Sequence, residues 1–287
     1  MGIKVEKLHF NYGKQAVLRI VSAKFEAGKI YGIVGKNGVG KTTFFKTMTN
    51  IITNYSGQVF IDGQEVKKNP SVLSKIGITL DDMELYKNFS GLFNIRYFGG
   101  LRGSLNEAKA LEMAKHLSIA DALDKKVSSY SLGMGKKLIL LISLMNDAEV
   151  LIFDEPFRGI DAASVAWLRD YLLELKKKGK MILISSHVQE DIESICDEVL
   201  PLYEGDFQES FDLTDAEREL SYSVVVDDIE KLQTLLSSMG IDARLEDNKV
   251  KFDANTASFQ ELFKKAAADG LLFDEIKKES KFADFVK

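Results

Sequence analysis

The 287-residue chain has one cysteine, Cys196, and three histidines. It can form no internal disulfide and no thiolate cluster, and its scattered histidines lack zinc-ligand spacing, so the sequence predicts a reducing, cytoplasmic setting. Long apolar runs are missing too: the longest, Leu138 to Met145 interrupted by Ser143, is far shorter than a bilayer span. The first residues lack the cationic, apolar and small-residue succession of a secretory leader. The expectation is a chain that neither crosses a membrane nor is secreted. A net charge of −5 argues against a broad nucleic-acid-binding surface. The main basic cluster, Lys176-Lys177-Lys178-Gly179-Lys180, reads as a solvated helix end. With 45% hydrophobic and 28% charged residues, the chain can bury one large core, or a large one and a small one.

Against that background one stretch stands out. Gly35-Lys36-Asn37-Gly38-Val39-Gly40-Lys41-Thr42-Thr43 fits G-x-x-x-x-G-K-[ST] at every fixed position. An apolar run, Ile30, Tyr31, Ile33 and Val34, precedes it as a buried strand, and Thr42 to Met48 follows without helix breakers. In that context the glycines let successive N–H groups curl around a phosphate and the helix N-terminus adds positive potential. Lys41 then reaches the β/γ oxygens and Thr42 offers its hydroxyl to Mg²⁺.

Other segments carry chemistry as well. From Ile3 to Tyr12 apolar residues alternate with a phase slip, predicting a bulged antiparallel strand, and Ala16 to Phe25 is a second extended stretch. Tyr12 is either a packing residue or a ring for a base to stack on. Ile76 to Leu80 is a strand stopping at Asp81-Asp82, where either carboxylate can reach Mg²⁺ or the attacking water, or else serves as a helix cap or an exposed turn. Residues 92 to 127 are mostly helical in pattern, with Ala108, Leu111, Ala114 and Leu117 expected on one face after Asn106 as cap. Ser128 to Lys137 is a small-residue turn opening an apolar helix: a second anion site or only a capped helix. Val150-Leu151-Ile152-Phe153-Asp154-Glu155 is a parallel strand carrying two carboxylates to the sheet edge; Asp154 suits Mg²⁺ and Glu155 the attacking water. Gly159-Ile160-Asp161 turns into the helix Ala162 to Lys178, and the strand Met181 to Ser185 ends at His187, structural or bonded to a γ-phosphate.

The order of these motifs resembles the ATP-binding subunit of ABC transporters over residues 1 to 205, and Tyr130-Ser131-Leu132-Gly133-Met134 is similar to the signature of the drug, bacteriocin and lipid exporter branch. The resemblance implies an α/β fold: a P-loop ATPase domain with a parallel-sheet core, a small antiparallel β layer and a helical insertion over about residues 82 to 148. It implies ATP and Mg²⁺ as cofactors. Tyr12 would stack on adenine, Gly35, Asn37, Gly38, Gly40, Lys41, Thr42 and Thr43 would hold the phosphates, and Thr42, Asp154 and Asp81 would face the metal. Glu155 would be the catalytic base, His187 the switch histidine, and Asp161 part of the loop crossing a dimer interface. Ser131 and Gly133 would contact ATP on a second ATP-binding subunit, identical or different, so one subunit alone should hydrolyse poorly. Asp81 departs from the usual glutamine, Leu132 and Met134 from the usual Gly and Gln, and Lys136 stands where Arg is frequent. The implied function is ATP hydrolysis driving a separate membrane permease, in an exporter, at the inner face of the cell membrane, with no nucleic acid as partner. The rival reading, a soluble ABC-type ATPase acting on nucleic acid or ribosomes, usually brings tandem ATPase units or a long coiled coil, and neither is present.

The flanks carry two further expectations. Residues 206 to 221 are polar and acidic, a linker, and 222 to 287 read as a small C-terminal α+β domain of ferredoxin-like β-α-β-β-α-β order closed by a helix near Ser280 to Val286. Residues 82 to 103 hold Leu85, Tyr86, Phe89, Phe93, Tyr97 and Phe98, of which most are expected in the core and one or two exposed to receive the permease.

Overall fold

The computed structural model describes residues 1–101, 103, 105–214, 220–279 and 285. These fall into two compact units, Met1–Ser210 and Phe211–Lys287. The first runs β1 (Gly2–Tyr12), β2 (Gln15–Glu26), β3 (Ile30–Val34), α1 (Lys41–Met48), β4 (Ser56–Ile61), β5 (Gln64–Glu65) and β6 (Ile76–Thr79). It continues through α2 (Gly91–Leu101), α3 (Glu107–His116), α4 (Leu132–Met145), β7 (Val150–Asp154), α5 (Ala162–Lys177), β8 (Met181–Ser186), α6 (Gln189–Ile195), β9 (Glu198–Tyr203) and β10 (Asp206–Phe207).

Two sheets share one core. The antiparallel sheet has the order β2-β1-β4-β5, and the second has the order β10-β9-β3-β8-β7-β6, parallel except at β10. The phase slip in β1 is a bulge: its pairing with β2 shifts between Val5 and Leu8, and Lys7 takes a left-handed φ of 48°. That slip keeps Ile3, Val5, Leu8 and Phe10 all facing inward. Between the sheets α1 inserts Phe44, Phe45 and Met48, each fully buried, with Phe44 tilted on Phe25 and edge-on to Phe207. Strands β3, β7 and β8 are buried at every position, as strands covered on both faces must be. Their register aligns Val34 with Ser186 and Asp154 with Ser185, so the loops after all three strands open at one edge.

Two readings of the helical insertion change. The buried stripe of α3 is Ala110, Met113, Ala114 and Leu117, while Ala108 and Leu111 are exposed. Asn106 caps the helix by accepting from Lys109 N at 3.0 Å as expected, but contact with α4 selects the neighbouring face. The aromatic cluster is not core either. Tyr86, Phe89, Phe93 and Tyr97 are exposed, and Leu85 and Phe98 are half-buried. The reason is that α2 turns Ile95 and the fully buried Asn94 inward, where the Asn94 amide exchanges hydrogen bonds with Tyr86 N and O at 2.8 and 3.2 Å.

Asp206 and Phe207 pair with Tyr203 and Leu202, so the stretch expected as linker begins inside the first unit's sheet. In the second unit β11 (Phe211–Asp212) is followed by β12 (Leu220–Val226), α7 (Ile229–Ser238), β13 (Ala243–Glu246), β14 (Lys249–Ala254), α8 (Thr256–Ala268) and β15 (Phe273–Glu279). The order β13-β14-β12-β15, antiparallel throughout, is the ferredoxin-like arrangement. Alternate β12 residues Leu220, Tyr222, Val224 and Val226 pack with Leu232, Leu236, Leu262 and Ala266 of the two helices into a core of its own. The helix expected over residues 280 to 286 lies outside the described residues, apart from residue 285.

Candidate functional site

The phosphate loop connects β3 to α1. Gly40 precedes the helix at φ 117°, a conformation open to glycine and strained for other residues, and α1 has no side-chain cap and no acid in its first turn. Its first N–H groups are thereby left for an anion. Lys41 is buried and its Nζ curls back to donate to the carbonyls of Gly35 at 2.6 Å and Lys36 at 3.3 Å. Burial pushes its ammonium below the ordinary lysine value, and the charges of Glu155 and Asp154 oppose that shift. Asn37 and Gly38 lie exposed at the loop's tip, and Thr43 is buried.

The sheet edge supplies the acids. Thr42 Oγ1 donates to Asp154 Oδ2 at 2.5 Å, and Ser185 Oγ donates to the other oxygen of the same carboxylate. Asp154 is 4% exposed, so these two hydroxyls and the nearby Lys41 are what allow a charge at that depth. Glu155 leaves the strand at φ 51°, a left-handed conformation uncommon outside glycine, and its N–H is held by Ser185 O and Oγ, each at 3.1 Å. His187 Nδ1 donates to Glu155 Oε2 at 2.9 Å. The sequence pattern singles out every member of this network except Ser185. Its signal was a small polar residue closing an otherwise aliphatic strand.

Around this centre the other expected residues divide. Asp81 is brought beside it: a cavity of about 20 Å³, enough for one water, is lined by Thr79, Asp81, Lys136, Asp154 and Glu155 among others. The buried Thr79 hydroxyl there has no partner. Asp81 Oδ1 accepts from Lys136 Nζ at 2.8 Å, and Arg158 Nη1 lies 3.9 Å from Oδ2. The Lys136 hydrogen bond holds the Asp81 carboxyl below the usual carboxylate range. Asp82 pairs with Lys46 of α1. Asp161 caps α5, accepting from Ser164 N at 3.0 Å, and is paired with the buried Lys137, whose hydrogen bond holds its carboxyl far below its ordinary value.

Ser131 and Gly133 sit elsewhere, on the first turn of α4. Ser131 caps that helix, accepting from Met134 N at 3.2 Å. A Cβ on Gly133 would stand 2.8 Å from Gly159 O, so only glycine lets α4 approach that loop. Leu132 between them is 79% exposed. Tyr12 is 54% exposed, edge-on to Phe10 with centroids 4.7 Å apart.

The donor set fits Mg²⁺, which takes hard oxygen ligands from one or two carboxylates together with substrate phosphates. Here a hydroxyl and a buried carboxylate meet beside the phosphate loop, and among the described residues no cluster of three or more His, Cys, Asp or Glu forms an all-protein cage. A phosphate loop whose lysine and threonine face two strand-end carboxylates defines a P-loop nucleotide hydrolase.

Comparison with known proteins narrows the class. The ABC transporter family model matches residues 18–158. The lantibiotic transport ATP-binding protein SrtF of Streptococcus pyogenes is 32% identical over 203 residues, 71% of this chain and 87% of SrtF. The bacitracin transport ATP-binding protein BcrA of Enterococcus faecalis is 31% identical over 280 residues, 96% of this chain and 91% of BcrA. A solved ATP-binding subunit of an ABC transporter superposes with a TM-score of 0.70 at 20% identity, covering 93% of this chain and all of the other. A bacterial Atm1-family ABC exporter with ATP bound gives 0.67 at 22% identity over 74% of this chain and 39% of the exporter. The chain belongs to the ABC transporter family, as one of its ATP-binding proteins, and is an ATP hydrolase of that class.

Proposed function

We propose that this chain hydrolyses Mg·ATP in a head-to-tail pair of ATP-binding subunits and so drives a separate permease, in an exporter, from the inner face of the membrane. The observation that carries the reading is the continuous network from Thr42 through Asp154 and Ser185 to Glu155 and His187 beside the phosphate loop. Bound Mg²⁺ would neutralise charge on the β and γ phosphates. Thr42 and Asp154 would hold it, while Lys41 exchanges its backbone carbonyls for phosphate oxygens. Glu155, oriented by His187 and by its strained backbone, would accept the proton of the attacking water. Lys41 and the α1 N-terminus would stabilise charge on the departing phosphates.

Pairing is supported by the exposed first turn of α4, where Ser131 caps the helix and the apolar Leu132 stands in water. Tyr12 is exposed enough to stack on a base. The permease reading is supported by the exposed aromatic patch: Phe89, Phe93 and Tyr97 recur every four residues and stack at centroid spacings of 4.2 and 5.9 Å. Such a contiguous apolar surface suits a partner. The similarity to the lantibiotic transport protein SrtF and the bacitracin transport protein BcrA favours a cargo of the lantibiotic or bacitracin kind.

The test is recovery of the tagged protein from detergent-solubilised native membranes. A stoichiometric multi-span protein is the expected companion. Ribosomal or nucleic-acid-associated proteins in its place would overturn the permease assignment.

A further inference from the structure

The two oxygens of Asp81 both face cations of this chain. Oδ1 accepts from Lys136 Nζ at 2.8 Å and Oδ2 lies 3.9 Å from Arg158 Nη1. Lys136 belongs to the second turn of α4, the helix that begins with Ser131, Leu132 and Gly133, and its aliphatic stem lies over Gly159 at 3.7 Å from where a Cβ would be. The next residue, Lys137, pairs with Asp161. Successive lysines thus tie α4 to two loops of the sheet edge, and one of those ties uses the carboxylate that shares a cavity with Asp154 and Glu155. Cations gathered on one carboxylate repel each other, so the Lys136 ammonium on Asp81 weakens that carboxylate's attraction for a metal in the shared cavity.

We propose that Lys136 is a positioning residue whose ion pair with Asp81 withholds that carboxylate from Mg²⁺ and holds the first turns of α4 in place until nucleotide-bound metal takes Asp81 from it. This rests on the reading of the site as one for Mg·ATP. The exchange makes the position of α4 depend on whether metal and nucleotide are bound, through one side chain with two possible partners.

The experiment measures the Mg²⁺ concentration that half-saturates binding of a fluorescent ATP analogue to the full chain. Lys136→Met keeps the stem and removes the charge, and should lower that concentration about fivefold, the weight of a partly exposed ion pair. Lys136→Arg should return it to the wild-type value, and the shift should vanish when Asp81→Asn is already present. An unchanged Mg²⁺ requirement in Lys136→Met, or an equal shift in the Asp81→Asn background, would overturn the latch. If the wild type shows no Mg²⁺-dependent binding, the Mg·ATP reading fails and the latch with it; Mg²⁺-dependent binding in the wild type with no effect of Lys136→Met removes the latch alone. Should the Met variant fold poorly, Lys136→Gln makes the same comparison.

Discussion

At the scale of single residues, side chains are placed by neighbours that also set their charge. Glu155 owes its orientation to His187 and to a left-handed backbone held by Ser185, so replacing the acid without altering its shape isolates its chemistry. Glu155→Gln is expected to bind ATP normally and to lose hydrolysis by about 100-fold or more, the usual weight of a general base. Phosphate release from the purified protein checks it, and near-normal turnover would reassign the base. Asp81 gives a pH expectation. Its carboxyl is held low by Lys136 and Arg158, so the folded chain binds fewer protons than the unfolded one. The stabilisation is therefore present above the unfolded value near pH ~4 and is lost as the pH falls through the lower folded value. Between about pH 5 and pH 3 the melting temperature of Asp81→Asn should fall less steeply than that of the wild type. Asp81 is 44% exposed, so screening keeps the difference small.

At the scale of elements, α2 shows how one buried polar residue turns a face outward. The Asn94 amide satisfies the backbone of Tyr86, and this fixes the rotation of α2 about its axis. Phe89, Phe93 and Tyr97 are then left on the surface. Paired changes Phe93→Ser and Tyr97→Ser should leave stability within about 0.5 kcal/mol, as substitutions at exposed positions do, and should abolish recovery of a membrane partner. Circular dichroism melting and the pull-down read the two effects, and a large drop in melting temperature would show the aromatics to be structural. Helix α1 behaves oppositely. Phe44→Ala there should cost about 3–5 kcal/mol, because its ring fills the space between two sheets. Chemical denaturation measures it; a loss below about 1 kcal/mol would mean the core collapses into the gap.

At the scale of the whole molecule, each unit has its own hydrophobic core. Residues 211–287 expressed alone are therefore expected to unfold in one cooperative thermal transition, although so small a core gives only a few kcal/mol of stability. A gradual, non-cooperative melt would show that the second unit depends on the first for its fold.

Local rules along the chain govern the phosphate loop, the strands ending in acids or His187, the bulge of β1 and the order of elements in the second unit, and all of these are legible before any folding. Each is a matter of dihedral preference, spacing or alternation along a few residues. Tertiary structure alone decided which face of α3 is buried, that the aromatic patch is exposed, that Ser185 binds Asp154 and that Asp81 pairs with Lys136, 55 residues away. Helix rotation, strand register and ion-pair choice depend on contacts between distant segments. A stripe such as Ala108-Leu111 and its neighbour Ala110-Met113-Ala114 are equally apolar until α4 packs against one of them.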